Sequence, residues 1–274
     1  MRTVYLGTSD FAAGVLRRIA QTPHRPALVV TRPDRPAGRG RKLSPPPVAM
    51  LAGELGIALA QPEDVNGEEA RAQIAAQAPE RLLLCAYGAL IKGPLLAEHE
   101  ILNVHPSLLP RWRGAAPVER AIMAGDEQTG VTIMCLTEGL DSGPVCLQEV
   151  TPIGAEEDYG ALAARLEEVG ARLLVRALDE QPPFTEQDEA GVTYAEKITA
   201  ADRTINPSAP EQAVRVVRAL SPHIGARLAL DDGSYLGVRA ARVGEDGALE
   251  LLEVQPAGGH PMSYADYVRG HARA

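Results

Sequence analysis

Within residues 81–86, Arg-Leu-Leu-Leu-Cys-Ala, the five that follow the arginine are apolar without alternation. A run that short and uniform reads as a strand buried on both faces, which requires helices on both sides of its sheet. The surrounding segments supply them. Thr3–Thr8 is β-rich and ends in a glycine turn, and Ser9 and Asp10 are N-cap candidates for a helix through about Gln21. Residues 27–31 repeat the strand signal, 47–56 and 66–77 read as helices, and 101–104 is a short strand. A helix over 116–124, strands over 131–136 and 145–153, and a helix from Tyr159 to about Glu180 complete the pattern. Strands alternating with helices predict an α/β domain, doubly wound around a mostly parallel sheet.

The pattern breaks at Gln181-Pro182-Pro183, and turn signals continue through Asn206-Pro207 and Ala209-Pro210. The expected division is a domain over 1–181, a linker over 182–210 and a small β-rich domain over 211–274. The last would hold a helix over 211–220, strand-like runs over 226–230, 235–243 and 248–254, and a short helix near 265–269. At 274 residues and 45% hydrophobic composition the chain can bury cores for one large or two modest domains. Its longest uncharged stretch, 254–265, carries two prolines and a histidine and falls far short of the roughly 20 apolar residues that span a bilayer. No membrane association is expected. The N-terminus enters a strand without an apolar signal core, so the expected location is cytoplasmic. Cys85, Cys135 and Cys146 form no C-x-x-C pair and lie in apolar stretches, where they read as small buried hydrophobes and not as disulfide or zinc ligands. The net charge of −9 argues against a nucleic-acid partner, but residues 151–204 alone hold 12 acidic against 5 basic side chains, and elsewhere the balance is near even.

Chemistry concentrates in Asn103-Val104-His105-Pro106-Ser107-Leu108-Leu109-Pro110-Arg111-Trp112-Arg113-Gly114-Ala115-Ala116-Pro117. Asn103 and His105, two apart at a strand end, share one side of the strand. In an open α/β sheet the crevice beyond the strand carboxyl ends takes ligands. There an Asn can donate to a developing oxyanion, and a His can act as acid, base or donor. Taken alone, the pair also reads as a turn-forming Asn and a structurally satisfied His. The later loop Glu138-Gly139-Leu140-Asp141-Ser142-Gly143 can return an Asp to the same crevice, although D-S-G is also common turn sequence. Residues 32–42 carry five positive charges and one negative among prolines and glycines, which suits a surface loop that meets phosphates or is simply solvated.

These blocks together resemble the methionyl-tRNA formyltransferase family of folate-dependent formyltransferases. The N-x-H-x-S-L-L-P block and the D-x-G loop are common to the wider superfamily. More specific are Arg111–Pro117, Thr129–Met134, the opening Gly7–Ala12 and Pro33–Lys42, and Tyr194–Ile198, Arg218–Pro222 and Leu251–Pro256 extend the likeness almost to the C-terminus. The resemblance implies a Rossmann-like formyltransferase domain and an OB-like C-terminal domain. Here the latter is shortened, with only three clear strand runs, and His223 stands where an aromatic is commoner. It also implies transfer of the formyl group of 10-formyltetrahydrofolate to the amino group of initiator methionyl-tRNA, in translation initiation, by a monomer and without a metal. Asn103, His105 and Asp141 take the catalytic roles. Tyr87, Gly88, Ser107, Leu108, Leu109, Pro110 and Leu140 take the cofactor wall, and Arg39, Arg41 and Lys42 the tRNA contacts. Two alternatives keep the same three residues. One replaces tRNA with a nucleotide-linked amino sugar, and the other is a 10-formyltetrahydrofolate hydrolase that delivers water.

Overall fold

Thr3, Val4, Tyr5 and Leu6 are fully buried along β1 (Thr3–Gly7), a strand with no solvent face. The helix α1 (Asp10–Ile19) follows at once. Ser9 Oγ accepts from Ala12 N at 3.2 Å, Asp10 lies at the positive end of the dipole, and Ala12, Val15, Leu16 and Ile19 bury one stripe at i, i+3, i+4 and i+7. Burying each larger side chain of that stripe contributes about 1.5–3 kcal/mol. The computed structural model describes residues 1–37 and 42–271, and the chain divides into two compact units. The first comprises Met1–Arg113, Gly130–Thr151 and Ala164–Thr193, and the second Gly114–Thr129, Pro152–Ala163 and the chain from Tyr194 onward.

After α1 come β2 (Leu28–Val30), a hairpin of β3 (Arg35–Ala37) and β4 (Lys42–Ser44), α2 (Pro47–Leu55), β5 (Ala58–Ala60), α3 (Glu68–Ala75), β6 (Arg81–Cys85), α4 (Gly93–Glu98) and β7 (Ile101–His105). Then follow β8 (Arg113–Gly114), α5 (Pro117–Ala124), β9 (Gln128–Cys135), β10 (Val145–Pro152) and α6 (Tyr159–Glu180). The central sheet runs β10-β9-β7-β6-β1-β2-β5. Pairs β1–β2, β1–β6, β2–β5 and β6–β7 are parallel, and β7–β9 is antiparallel. The sheet is thus mostly parallel, as expected. The chain builds outward from β1 in one direction and then restarts at β6 on the other side, so the order reverses between β1 and β6, the position at which open α/β sheets form a ligand crevice. Beside it α6 lies so close to β7 that a Cβ on Gly170 would sit 2.8 Å from Val104 Cγ1.

The second unit adds β11 (Tyr194–Ala195), α7 (Pro210–Leu220), β12 (Ala226–Ala229), β13 (Tyr235–Val243), β14 (Leu249–Gln255), β15 (Met262–Ser263) and α8 (Tyr264–His271). Strands β12 to β15 form one antiparallel sheet in chain order, so a fourth short strand joins the three runs read from sequence. Ala213, Val217 and Leu220 of α7 pack on Ala226 and Val238 to form its core. His223 stacks on Tyr159 with ring centroids 3.7 Å apart and meets Glu119 through Nε2 at 3.0 Å, taking the place of an aromatic as a flat packing surface. No helix among the described residues is long and apolar enough to cross a membrane.

Candidate active site

Strand β7, the neighbour of β6 in the sheet, ends with Asn103 and His105 on the same side. The loop between β9 and β10 folds back over them and delivers Asp141. Asn103 Nδ2 donates to Asp141 Oδ1 at 3.5 Å, and His105 Nδ1 lies 3.7 Å from Asp141 Oδ2. The two side chains that sequence placed together therefore meet the third, 36 residues further on. His105 Nε2 is 2.9 Å from the Trp112 carbonyl oxygen. A carbonyl only accepts, so Nε2 carries the proton of that bond, and Nδ1 is the nitrogen turned toward the carboxylate. A separation of 3.7 Å is an ion-pair contact and too long for a hydrogen bond. Polar atoms at this looser spacing can close on a bound group. Asn103 and His105 are 7% and 4% exposed, which keeps water from screening their interactions.

The loop beyond β7 is held by a single hub. Thr132 lies opposite His105 in the β7–β9 ladder and is fully buried. Its Oγ1 donates to the Ser107 carbonyl at 2.7 Å and accepts from Leu109 N at 3.2 Å and Gln148 Nε2 at 2.9 Å. Gln148 also donates to the Leu109 carbonyl, and Ser107 Oγ donates to the Arg111 carbonyl at 2.7 Å. Ser107 and Leu109 are thus turned inward to shape the loop, while Leu108 and Pro110 remain partly open to solvent. Of the other wall residues, Tyr87 is 2% exposed and belongs to the core cluster, its carbonyl fixed by Thr8 Oγ1 at 2.6 Å. Burial raises the Tyr87 phenol pKa, with Arg32 opposing the shift. Gly88 and Leu140 are exposed on the loops after β6 and β9, as is Leu90. Lys42 is exposed on β4, whereas Arg39 and Arg41 lie outside the described residues.

Backbone conformation marks the same loops. Ala86 (φ 42°), Trp112 (φ 64°) and Asp141 (φ 43°) follow β6, β7 and β9 in the left-handed region. Such residues persist only where their surroundings hold them, and they gather at functional sites. Trp112 is half-buried beneath Arg111, whose guanidinium carbon lies 4.4 Å from the ring centroid. Arg113 is only 4% exposed, because its guanidinium turns inward to Gln187 Oε1 at 2.9 Å. Of the cysteines, Cys85 is a buried core residue as read, while Cys135 and Cys146 are half-buried free thiols. Sequence reasoning missed Thr132, Gln148 and Gln187, polar residues whose partners lie far away along the chain.

The formyl transferase family profile matches residues 1–178. A methionyl-tRNA formyltransferase of Halorhodospira halophila is 44% identical, with 98% of this chain and 96% of that protein covered. Among solved structures, a methionyl-tRNA formyltransferase from Clostridium thermocellum superposes with a TM-score of 0.67 at 13% identity, covering 96% of this chain and 99% of that one. HypX from Aquifex aeolicus in complex with tetrahydrofolic acid superposes with a TM-score of 0.69 at 16% identity, covering 98% of this chain and 47% of that one, and at such identities both structures speak for the fold. With a relative this similar over nearly its whole length, the chain belongs to the methionyl-tRNA formyltransferase family.

Proposed function

We propose that the protein formylates the amino group of initiator methionyl-tRNA with 10-formyltetrahydrofolate as donor, and that Asn103, His105 and Asp141 carry the reaction. The observation that supports this most directly is the convergence of an amide, an imidazole and a carboxylate at the end of β7, in a chain 44% identical to a named methionyl-tRNA formyltransferase. The wall fits a folate-type donor: Leu140 and Leu90 are 59% and 67% exposed on loops that flank polar, buried donors, the combination that small-molecule sites use to hold an apolar body and fix one polar end.

The neutral amine attacks the formyl carbon with negative charge developing on its oxygen, and collapse then breaks the bond from that carbon to N10 of the folate, which leaves as tetrahydrofolate with the proton that the amine has lost, relayed through water. Asn103 Nδ2 would donate to that oxygen, joined by the Nδ1–H of His105 when the ring is doubly protonated, while Nε2–H stays on the Trp112 carbonyl; electrostatic stabilisation of this kind is the largest single contribution in acyl transfer. Asp141 faces the Nδ1 side of His105 and takes up the amine proton through water. Trp112 holds the imidazole plane from the other side. We assign Leu108, Pro110, Gly88 and Leu140 to direct cofactor contact and Tyr87, Ser107 and Leu109 to the buried layer that shapes it. Lys42, with Arg39 and Arg41, would meet the phosphates of the tRNA.

The test is transfer of labelled formyl from 10-formyltetrahydrofolate to initiator methionyl-tRNA, with elongator methionyl-tRNA as control and free formate assayed alongside. Selective transfer to the initiator is expected. Formate release without transfer would replace the reading with a hydrolase, and silence in both assays would move the acceptor to an amino sugar. For the tRNA contacts, affinity at two salt concentrations with Arg41→Ala should fall and lose part of its salt slope, and an unchanged affinity removes the assignment.

A further inference from the structure

We propose that Gln187 is a positioning residue, a clamp from the segment after α6 that holds Asp141 in register with His105. The inference rests on the formyltransferase reading and concerns residues that segment was expected to contribute only as a connector. Gln187 Nε2 donates to the carbonyls of Asp141 at 2.8 Å and Gly143 at 2.7 Å. Its Oε1 accepts from Arg113 Nε at 3.1 Å and Nη2 at 2.9 Å. One side chain therefore spends its full donor and acceptor capacity between the catalytic loop and a buried guanidinium that also reaches Glu189.

The loop needs such a restraint. Asp141 is a non-glycine residue at φ 43°, and the turn after it is so tight that a Cβ on Gly143 would sit 1.9 Å from the Cys135 carbonyl oxygen. A conformation of this kind is retained only when its neighbours over-determine it. Gln187 fixes the two carbonyls that bracket the turn. The same segment reaches the other half of the pair. Thr193 Oγ1 accepts from Trp112 N at 2.9 Å, and Thr193 O accepts from Arg113 N at 2.9 Å, so the carbonyl that orients His105 is anchored to it as well. Gln187 touches no reacting atom. It acts through where the Asp141 carboxylate is held.

Gln187→Glu separates the two halves of the clamp, because it keeps the acceptor facing Arg113 and replaces the N–H donors facing the two carbonyls with an oxygen. We expect kcat for formyl transfer to fall about tenfold, the equivalent of about 1.4 kcal/mol, with KM for methionyl-tRNA unchanged. In an Asp141→Asn background the same substitution should cost less than twofold, since the carboxylate it positions is gone. Equal losses in both backgrounds, or wild-type kcat in the single variant, would overturn the proposal. A purely structural role would lower both backgrounds alike. The His105 imidazole resonances, followed by NMR in wild type and Gln187→Glu, judge the clamp without turnover. They should shift, and unchanged resonances overturn it even if the wild-type protein transfers no formyl group, an outcome that refutes the functional reading instead.

Discussion

Thr132→Val removes one hydroxyl and keeps the side-chain volume, so it tests whether the loop beyond β7 is held by the hub that its contacts describe. The hydroxyl donates once and accepts twice in a fully buried position. Gln148 keeps the Leu109 carbonyl as a partner after the substitution, but Leu109 N–H and the Ser107 carbonyl face a methyl group. Two buried backbone groups losing a partner cost about 1–3 kcal/mol each, less what burying the methyl returns, so a loss of about 2–4 kcal/mol is expected. At about 2–4 °C per kcal/mol, the calorimetric transition of the first unit should fall by roughly 4–16 °C. Thr132→Ser keeps the hydroxyl and loses only the methyl, at a cost of about 1 kcal/mol. In formyl-transfer kinetics the Val variant should raise KM for the folate donor, because Leu108 and Pro110 ride on the loop, while the Ser variant stays near wild type. If Val proves as stable as Ser, or the donor KM does not move, the hub does not hold the loop.

His105→Ala and Asn103→Ala should each lower turnover by about 10² or more and leave folate affinity nearly intact, as loss of an oxyanion donor does; turnover near wild type in either variant removes that residue from the mechanism. In the second unit, Asp202 is gripped by Arg120 at 2.8 and 3.2 Å and by Thr199, and the Arg120 hydrogen bond, ahead of the Thr199 bonds, holds its carboxyl well below the usual range. A depressed folded pKa contributes stability that is complete above the unfolded value and is lost as pH falls through the folded one. Asp202→Asn should therefore destabilise at pH 7, and its deficit against wild type in urea titrations should shrink as pH drops below about 4; a deficit independent of pH contradicts the pairing. Burial pushes the Cys85 thiol up to about 12 and the half-buried Cys146 thiol up to about 11. Cys85 should escape iodoacetamide at pH 8 in the native protein and react once urea unfolds it, and native labelling of Cys85 at the rate of a free thiol would show that its strand is not closed.

The parallel core was legible because burial on both faces forces composition. β1 and β6 are buried on both faces and their apolar runs stand out against helices whose stripes recur every three or four residues, while β7 interrupts its apolar run only with Asn103 and His105. Where burial is one-sided or brief, the signal fades. β5 (Ala-Leu-Ala) sits at the sheet edge with two of its three residues exposed, and the β3–β4 hairpin hides in a stretch whose prolines and glycines read as loop. The antiparallel insertion of β9 leaves no local mark either, since the strand is apolar whichever way it runs.

The three residues proposed to carry the reaction stood out for a different reason: an amide, an imidazole and a carboxylate on a strand end and a nearby loop belong to a small set of chemistries, and the surrounding motif narrows it. What holds them in place has no such signature. Thr132, Gln148 and Gln187 are ordinary polar residues, and Gln187 reaches partners 44 to 74 residues away, so no spacing could announce them. The backbone shows why they are needed. Trp112 and Asp141 both occupy left-handed conformations, and one supplies the carbonyl for His105 while the other supplies the carboxylate. A site whose two orienting groups hang from strained backbone cannot hold its geometry through its own residues alone. Long-range side chains must over-determine it, which places part of the support of the proposed site in a segment that composition marks as a linker.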